Sequence, residues 1–337
     1  MSQPRILIIG AGSMGMVTGL NLSLAGAEVT FLIRPHRAEA LTRPQLLYSF
    51  NDHKLKEFKN FNYIIDPSQM TGKDYDYIIV TLDGAALKNE TGQNLVETIG
   101  SAVRQSTKTK VILGTVFFNI RPWFLEVSGL DESQVVLGWI TIHAYPTAAV
   151  TLPLHSPTDP ELLSKASTAY IDSLGDGFCV ADSNPDVANR FAKIYNASGV
   201  SKCGVMPQSQ VGLLMNPIFT VFIASEVLNW PPYKDIDPQS EIWGLAVAAW
   251  KRIQALSIHG ELGQEAAKST TESTVAAMFA SMESLMQPLD LAAFYKYHHG
   301  GKVVTQDREH LYACLAYGEA EGKPMMALKE LLGRVDK

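Results

Sequence analysis

Two sets of residues in this chain have types and spacing suited to chemistry, one for holding phosphates and one for handling a polar substrate. The first is Gly10-Ala11-Gly12-Ser13-Met14-Gly15. Glycines at this spacing let a chain cradle a pyrophosphate. Gly10 permits a tight turn, Gly12 lets the backbone approach the phosphates without a Cβ, and Gly15 lets a helix pack closely on a strand. About twenty residues on, a site for NAD or FAD usually carries Asp or Glu to accept from the ribose hydroxyls. This chain carries Arg34, with Arg37 three residues later. Two guanidinium groups suit a 2′-phosphate, which accepts paired, charge-assisted hydrogen bonds. The expected cofactor is therefore NADPH rather than NADH.

The second set is scattered. Asn216 precedes Pro217 within an apolar helical stretch, where an amide can bond a substrate oxygen or be satisfied by local backbone at a kink. His143 closes an apolar run and is placed to face a nicotinamide from a strand end, or to cap that strand. His298 and His299 precede Gly300-Gly301-Lys302, a loop that suits a substrate wall. Asp83 follows another apolar run and either bonds the ribose or caps the next helix. Asn216, His143 and His299 are the candidate catalytic residues. Phe117-Phe118 adds bulk that would turn a pocket beside the nicotinamide toward apolar substrates.

These residues need elements to position them. Ile6–Ile9 reads as a strand, Met16–Leu24 as a helix and Val29–Ile33 as a second strand, a βαβ unit whose helix N-terminus faces the phosphates. Further strands are expected at 75–82, 110–115 and 135–143, with irregular strands over 46–66 and shorter ones at 150–156 and 177–182. A helix is expected at 85–99 and another near 160–174. From Pro207 the 3.6-residue period takes over. Helices are expected near 208–229, 238–258, 263–286, 288–298, 305–320 and 324–334, punctuated by Pro231-Pro232, Gly260, Pro288, Gly300-Gly301 and Gly322. The reading is an α/β nucleotide-binding domain with a parallel, doubly wound sheet over 1–200. An all-α domain follows over 201–337, with the active cleft between the two.

Composition narrows the class. The 337 residues are 46% hydrophobic and 18% charged, with a formal net charge of −6. No Lys/Arg-rich stripe suggests a nucleic-acid surface. The three cysteines, Cys179, Cys203 and Cys314, show no metal spacing, so no metal is expected and free thiols in a cytoplasmic setting are. The N-terminus enters a strand directly, without a signal peptide, and no apolar run reaches the length of a membrane span. A small-molecule substrate is the expected partner, with no membrane and with a homodimer left open.

The chain resembles the ketopantoate reductase family over nearly its full length. The resemblance rests on ILIIGAGSMG and VTFLIRPHR, on Asn216-Pro217, and on the Gly-Gly-Lys loop with the tail GEAEGKPMMALKELL. It implies a Rossmann domain with a helical C-terminal domain, and hydride transfer from NADPH to the carbonyl of a 2-oxo acid. It implies cofactor contacts at Gly10, Gly12, Ser13, Met14 and Gly15, and at Arg34 for the 2′-phosphate. The family's chemical pattern is Lys, then Asn four residues on, then Asn-Pro four further on. Here those positions hold Gln208, Gly212 and Asn216. The family glutamate of a Thr-Glu-Ile-Asp run falls on Gln306, or on Thr305 in another register, with Asp307 adjacent. The family asparagine after the strand at 110–115 is replaced by Gly114-Thr115, and the lysine after the strand at 75–82 by Leu82-Asp83. These departures imply a divergent oxidoreductase acting on a carbonyl or imine of a small, partly apolar substrate other than ketopantoate. The alternative is a catalytically silent NADP(H)-binding sensor or partner protein.

Overall fold

The computed structural model describes residues 3–104, 106 and 108–335. Contacts divide the chain into two compact units, one ending at Met206 and the other starting at Pro207.

Among the described residues, the first unit carries twelve strands: β1 Arg5–Ile9, β2 Glu28–Leu32, β3 Gln45–Ser49, β4 Lys54–Phe58, β5 Asn62–Ile64, β6 Tyr77–Val80, β7 Lys110–Leu113, β8 Val135–Ile140, β9 His143–Pro146, β10 Thr168–Ile171, β11 Phe178–Ala181 and β12 Cys203–Met206. Eight of them form one sheet in the order β12-β11-β8-β7-β6-β1-β2-β5. From β5 to β8 all neighbours are parallel, in the spatial sequence of a Rossmann fold, with the order reversing beside β1. β11 lies antiparallel to β8 and β12 parallel to β11. The sheet is thus mixed, not parallel throughout as expected, and β12 carries this unit past residue 200.

A second sheet is ordered β4-β3-β10-β9; β3 and β4 fall where irregular strands were expected over 46–66, but their pairing into a separate sheet was not expected. Its central pairing joins Leu47 to Thr168 and Tyr48 to Ala169, segments more than a hundred residues apart. The expected single strand at 135–143 breaks at Thr141-Ile142. His143 then opens β9, paired to Ile171 in this second sheet. The expected helix at 160–174 stops at Lys165, and β10 takes the remainder.

Helix α1, Ser13–Leu24, explains why both sheets are needed. Nine of its twelve residues are buried, and it contacts β1 and β2 on one side and β9 and β10 on the other. A helix apolar all round must be covered all round. Its one buried amide, Asn21, donates to the Tyr195 hydroxyl at 2.9 Å, which in turn meets Ser201 Oγ at 3.2 Å. The other helices of this unit are α2 Gly84–Lys88, α3 Glu90–Arg104, α4 Ile120–Ser128, α5 Pro160–Lys165 and α6 Pro185–Asn196. The helix expected at 85–99 is two, divided at Asn89.

Among the described residues, eight α-helices make the second unit: α7 Gln208–Met215, α8 Phe219–Val227, α9 Glu241–Gln254, α10 Gly260–Ser269, α11 Glu272–Leu285, α12 Leu291–Tyr297, α13 Val304–Ala320 and α14 Met326–Gly333. α9 is the centre, contacting α8, α10, α11, α13 and α14 through fully buried Trp243, Val247 and Ile253. The expected helix at 263–286 divides at Thr271, whose hydroxyl accepts from Thr274 N and starts α11. Glu283, 8% exposed, accepts from the backbone N–H groups of Tyr233 and Lys234 at 3.1 Å each. Gln208–Val227 is, by length and composition, apolar enough to cross a membrane, contrary to expectation. Yet 56% of its most apolar window is buried inside the fold, as for a core helix.

Candidate functional site

The glycine turn has the geometry its spacing implies. Gly10 has φ +104°, a left-handed backbone that glycine adopts without cost. Its N–H donates to Leu32 O at 3.0 Å, tying the turn to the end of β2. A Cβ on Gly15 would collide with the Gly10 carbonyl oxygen. A Cβ on Gly12 would meet nothing within 4 Å. Packing therefore accounts for Gly10 and Gly15, while the described residues leave the space beside Gly12 open. Gly12 begins α1 with no side-chain cap, so the helix N-terminus offers its first N–H groups and its positive dipole end to an anion.

Thr81, which the sequence reading passed over, locks this arrangement. Its hydroxyl donates to Ile9 O at 2.9 Å and lies 3.3 Å from Gly10 O. Its signal was its place as the first residue past a buried strand. Thr115 donates to Leu82 O at 2.7 Å, joining the ends of β6 and β7. Asp83 turns out to be a cap: its carboxylate accepts from Ala86 N at 2.7 Å. Phe117 and Phe118 are 6% and 5% exposed. A Cβ on Gly84 would lie 2.5 Å from Phe117, so Phe117 packs on the start of α2. Arg34 and Arg37 sit exposed on a turn directly after β2, and among the described residues neither guanidinium has an acidic partner. His143 opens β9, its Nδ1 3.0 Å from Thr141 O.

The helical unit gathers the other candidates around the α7–α8 junction. Asn216 is 8% exposed. Its Nδ2 lies 3.3 Å from His259 Nε2, and its backbone oxygen 3.0 Å from His310 Nε2. His310 is fully buried and packs on Phe219 with centroids 4.2 Å apart. His299 meets the same cluster: its ring stacks on Phe222 at 3.5 Å and its Nδ1 lies 2.7 Å from Asp307 Oδ2. Asn216 and His299 thus belong to one aromatic-histidine cluster. His259, His310 and Asp307 were missed as partners because each is a single polar residue with no local pattern. The His298–Lys302 segment forms one wide helical turn, and a Cβ on Gly300 would lie 2.8 Å from the Trp230 ring. Among the described residues no group of side chains could hold a metal.

Burial governs the charge of these histidines. It draws His259 down to about 4, with the Lys323 charge adding to the effect. It draws His310 down to about 3, opposed by the bond to Asn216. Burial pulls His299 in the same direction, to about 3.

Comparison with known proteins follows this geometry. Residues 6–113 match the family described as Ketopantoate reductase PanE/ApbA. A likeness in fold to solved structures covers 98% of the chain. A PanE/ApbA family ketopantoate reductase from Ralstonia eutropha JMP134 aligns with TM-score 0.66 and 15% identity, covering 98% of this chain and 96% of that one. The 2-dehydropantoate 2-reductase from Methylococcus capsulatus gives TM-score 0.69 and 15% identity, covering 98% and 94%. A D-mandelate dehydrogenase in complex with NADH gives TM-score 0.65 and 14% identity, covering 98% and 97%. No curated protein matches the sequence.

Two predictions follow from this site. Gly15→Ala should unfold the first unit or lower its melting temperature sharply, whereas Gly12→Ala should keep the wild-type melting temperature and lose NADPH affinity. Thermal denaturation and fluorescence titration test both; unchanged affinity in Gly12→Ala would show that nothing approaches there. The second concerns acid. His259 and His310 bind protons more weakly in the folded state than in the unfolded one. Their contribution is therefore complete above about pH 6.5 and declines as pH falls toward 4 for His259 and 3 for His310. The slope is up to about 1.4 kcal/mol per pH unit for each. Denaturant titrations from pH 7 to pH 4 should show a shallower decline for His310→Gln than for the wild type.

Proposed function

We propose that this chain is an NADPH-dependent oxidoreductase of the ketopantoate reductase type, acting on a carbonyl or imine of a small, partly apolar substrate other than ketopantoate. The carrying observation is the open space beyond Gly12, beside an uncapped helix N-terminus, in a turn whose other two glycines are required by packing. When bound, the cofactor supplies the hydride. The Gly12–Gly15 backbone, with Ser13 and Met14, holds its pyrophosphate, and Arg34 with Arg37 holds the 2′-phosphate. The exposed, unpaired guanidinium groups directly after β2 support this reading. Asn216 bonds a polar atom of the substrate.

At the family's lysine position stands Gln208, which is no acid. His299, oriented by Asp307 at 2.7 Å and kept neutral at pH 7 by burial, is the residue we place opposite the reacting group: as a neutral ring its Nε2 accepts a hydrogen bond from the substrate hydroxyl or amine. His143 and Asp83 have structural parts in this proposal. The free, buried cysteines support a reducing, cytoplasmic setting. The absence of a lysine at 208 and of a carboxylate at 306 also favours a second reading, a silent NADP(H)-binding protein.

Assays with NADPH against 2-oxo acids bearing branched, aryl and straight chains, and against cyclic imines, decide between the readings. We expect turnover of at least one of these, with ketopantoate slower by about 10²–10⁴-fold, the usual worth of a missing general acid. Ketopantoate turnover at the common enzymatic rate of about 1–10³ per second would overturn the specificity. Tight NADPH binding without turnover anywhere in the panel would favour the silent protein. Arg34→Ala should weaken NADPH by roughly 1.5–3 kcal/mol, the worth of a charged hydrogen bond, and leave NADH nearly unchanged. Equal losses for the two cofactors would remove the 2′-phosphate role.

A further inference from the structure

Gly212 is one turn before Asn216 on α7, and it is glycine for a visible reason. A Cβ there would lie 2.7 Å from His259 Cε1 and 3.0 Å from its Nδ1. The His259 ring, 7% exposed, fills the place a side chain at 212 would take, and its Nε2 reaches the Asn216 amide. A carboxamide nitrogen only donates. With the amide in this orientation, the 3.3 Å contact between Asn216 Nδ2 and His259 Nε2 is a hydrogen bond when Nε2 is bare and the imidazole proton sits on Nδ1. Asn216 Oδ1 accepts no hydrogen bond among the described residues.

We propose that His259 is a positioning residue: it takes up the space left by Gly212, holds Asn216 Nδ2 through a bare Nε2, and so turns Asn216 Oδ1 toward the substrate as an acceptor. The inference rests on the reading of Asn216 as a substrate contact. An outward acceptor selects a substrate that donates at that point, a hydroxyl or an amine. A carbonyl oxygen cannot donate, so the reduced member of a redox pair gains a bond there that the oxidised member lacks. Burial supports the arrangement, since an imidazole drawn down to about 4 is neutral at pH 7 and keeps an acceptor nitrogen. A protonated ring would have none. The loss of a side chain at 212 and the presence of a histidine at 259 are then two halves of one replacement.

Two measurements test this, and they fail separately. Long-range ¹H–¹⁵N spectra of the histidine-labelled full-length protein at pH 7 report the tautomer of each ring without any substrate. The expected result for His259, assigned by its loss in His259→Gln, is the Nδ1–H form. An Nε2–H form or a charged ring would overturn the proposal whatever the activity assays show. Next, the 2-oxo acid turned over fastest and its 2-hydroxy counterpart are measured with wild type, His259→Leu, His259→Gln and Gly212→Ala. His259→Leu and Gly212→Ala should each lower kcat/KM about 10-fold, and His259→Gln, which retains an acceptor, should recover most of the loss. In an Asn216→Ala background His259→Leu should add no further loss, because it acts through the amide. A full additional 10-fold loss there would overturn the positioning role. Should no 2-oxo acid turn over, the functional reading falls, and the tautomer measurement still decides the claim about His259.

Discussion

The N-terminal unit depends on one close approach, that of Gly15 to the carbonyl oxygen of Gly10. No side chain fits between them, so α1 starts directly against the end of β1, and the helix dipole is delivered to the edge where the strand order reverses. Two bonds hold that edge in register. The Gly10 N–H reaches Leu32 O, and the Thr81 hydroxyl reaches Ile9 O. The ends of β1, β2 and β6 are thereby fixed together. Because α1 is pressed onto the sheet at its start and is apolar around its circumference, its far side needs a cover, which β9 and β10 supply. The second sheet is a consequence of the first turn.

The helical unit works under a different constraint, the cost of burying polar groups that could ionise. Histidines 259 and 310 are 7% and 0% exposed, and both bond the same residue, one at its amide and one at its backbone oxygen. Neutral imidazole is what makes this affordable, since each ring then has one donor and one acceptor to match with Asn216. His299 differs in having a carboxylate, Asp307, at 2.7 Å. That is the arrangement in which a carboxylate orients an imidazole for proton transfer. The same cluster therefore holds two histidines bonded to Asn216 and a third bonded to a carboxylate.

How much of this was legible in the sequence follows from how local each feature is. The βαβ turn was, since its glycines act within six residues of one another. So was the change to helices at Pro207, because the 3.6 period is local. The second sheet was not, because Leu47 pairs with Thr168 and no local pattern encodes that partner. Strand β8 and strand β9 looked like one run because Ile142 is apolar and 1% exposed. Hydrophobicity cannot distinguish a continuing strand from a buried crossing between sheets. At the candidate site, Asn216 and His299 stood out by their neighbours, Pro217 and the Gly-Gly-Lys loop. His259 did not, forty-three residues away in Ser257-Ile258-His259-Gly260.

Gly212 shows why a departure from a family pattern reads differently once packing is known. In sequence it is a missing amide, one of several losses on the substrate side. In space it is the opening through which His259 reaches Asn216. A glycine in the interior of a helix costs about 0.5–1 kcal/mol relative to alanine, and α7 spends that on a position where alanine would press on an imidazole. Random decay of an unused site would have no reason to pair a helix-weakening glycine with a buried ring fitted to the space it leaves. The pairing shows that Gly212, His259 and Asn216 are packed as one unit.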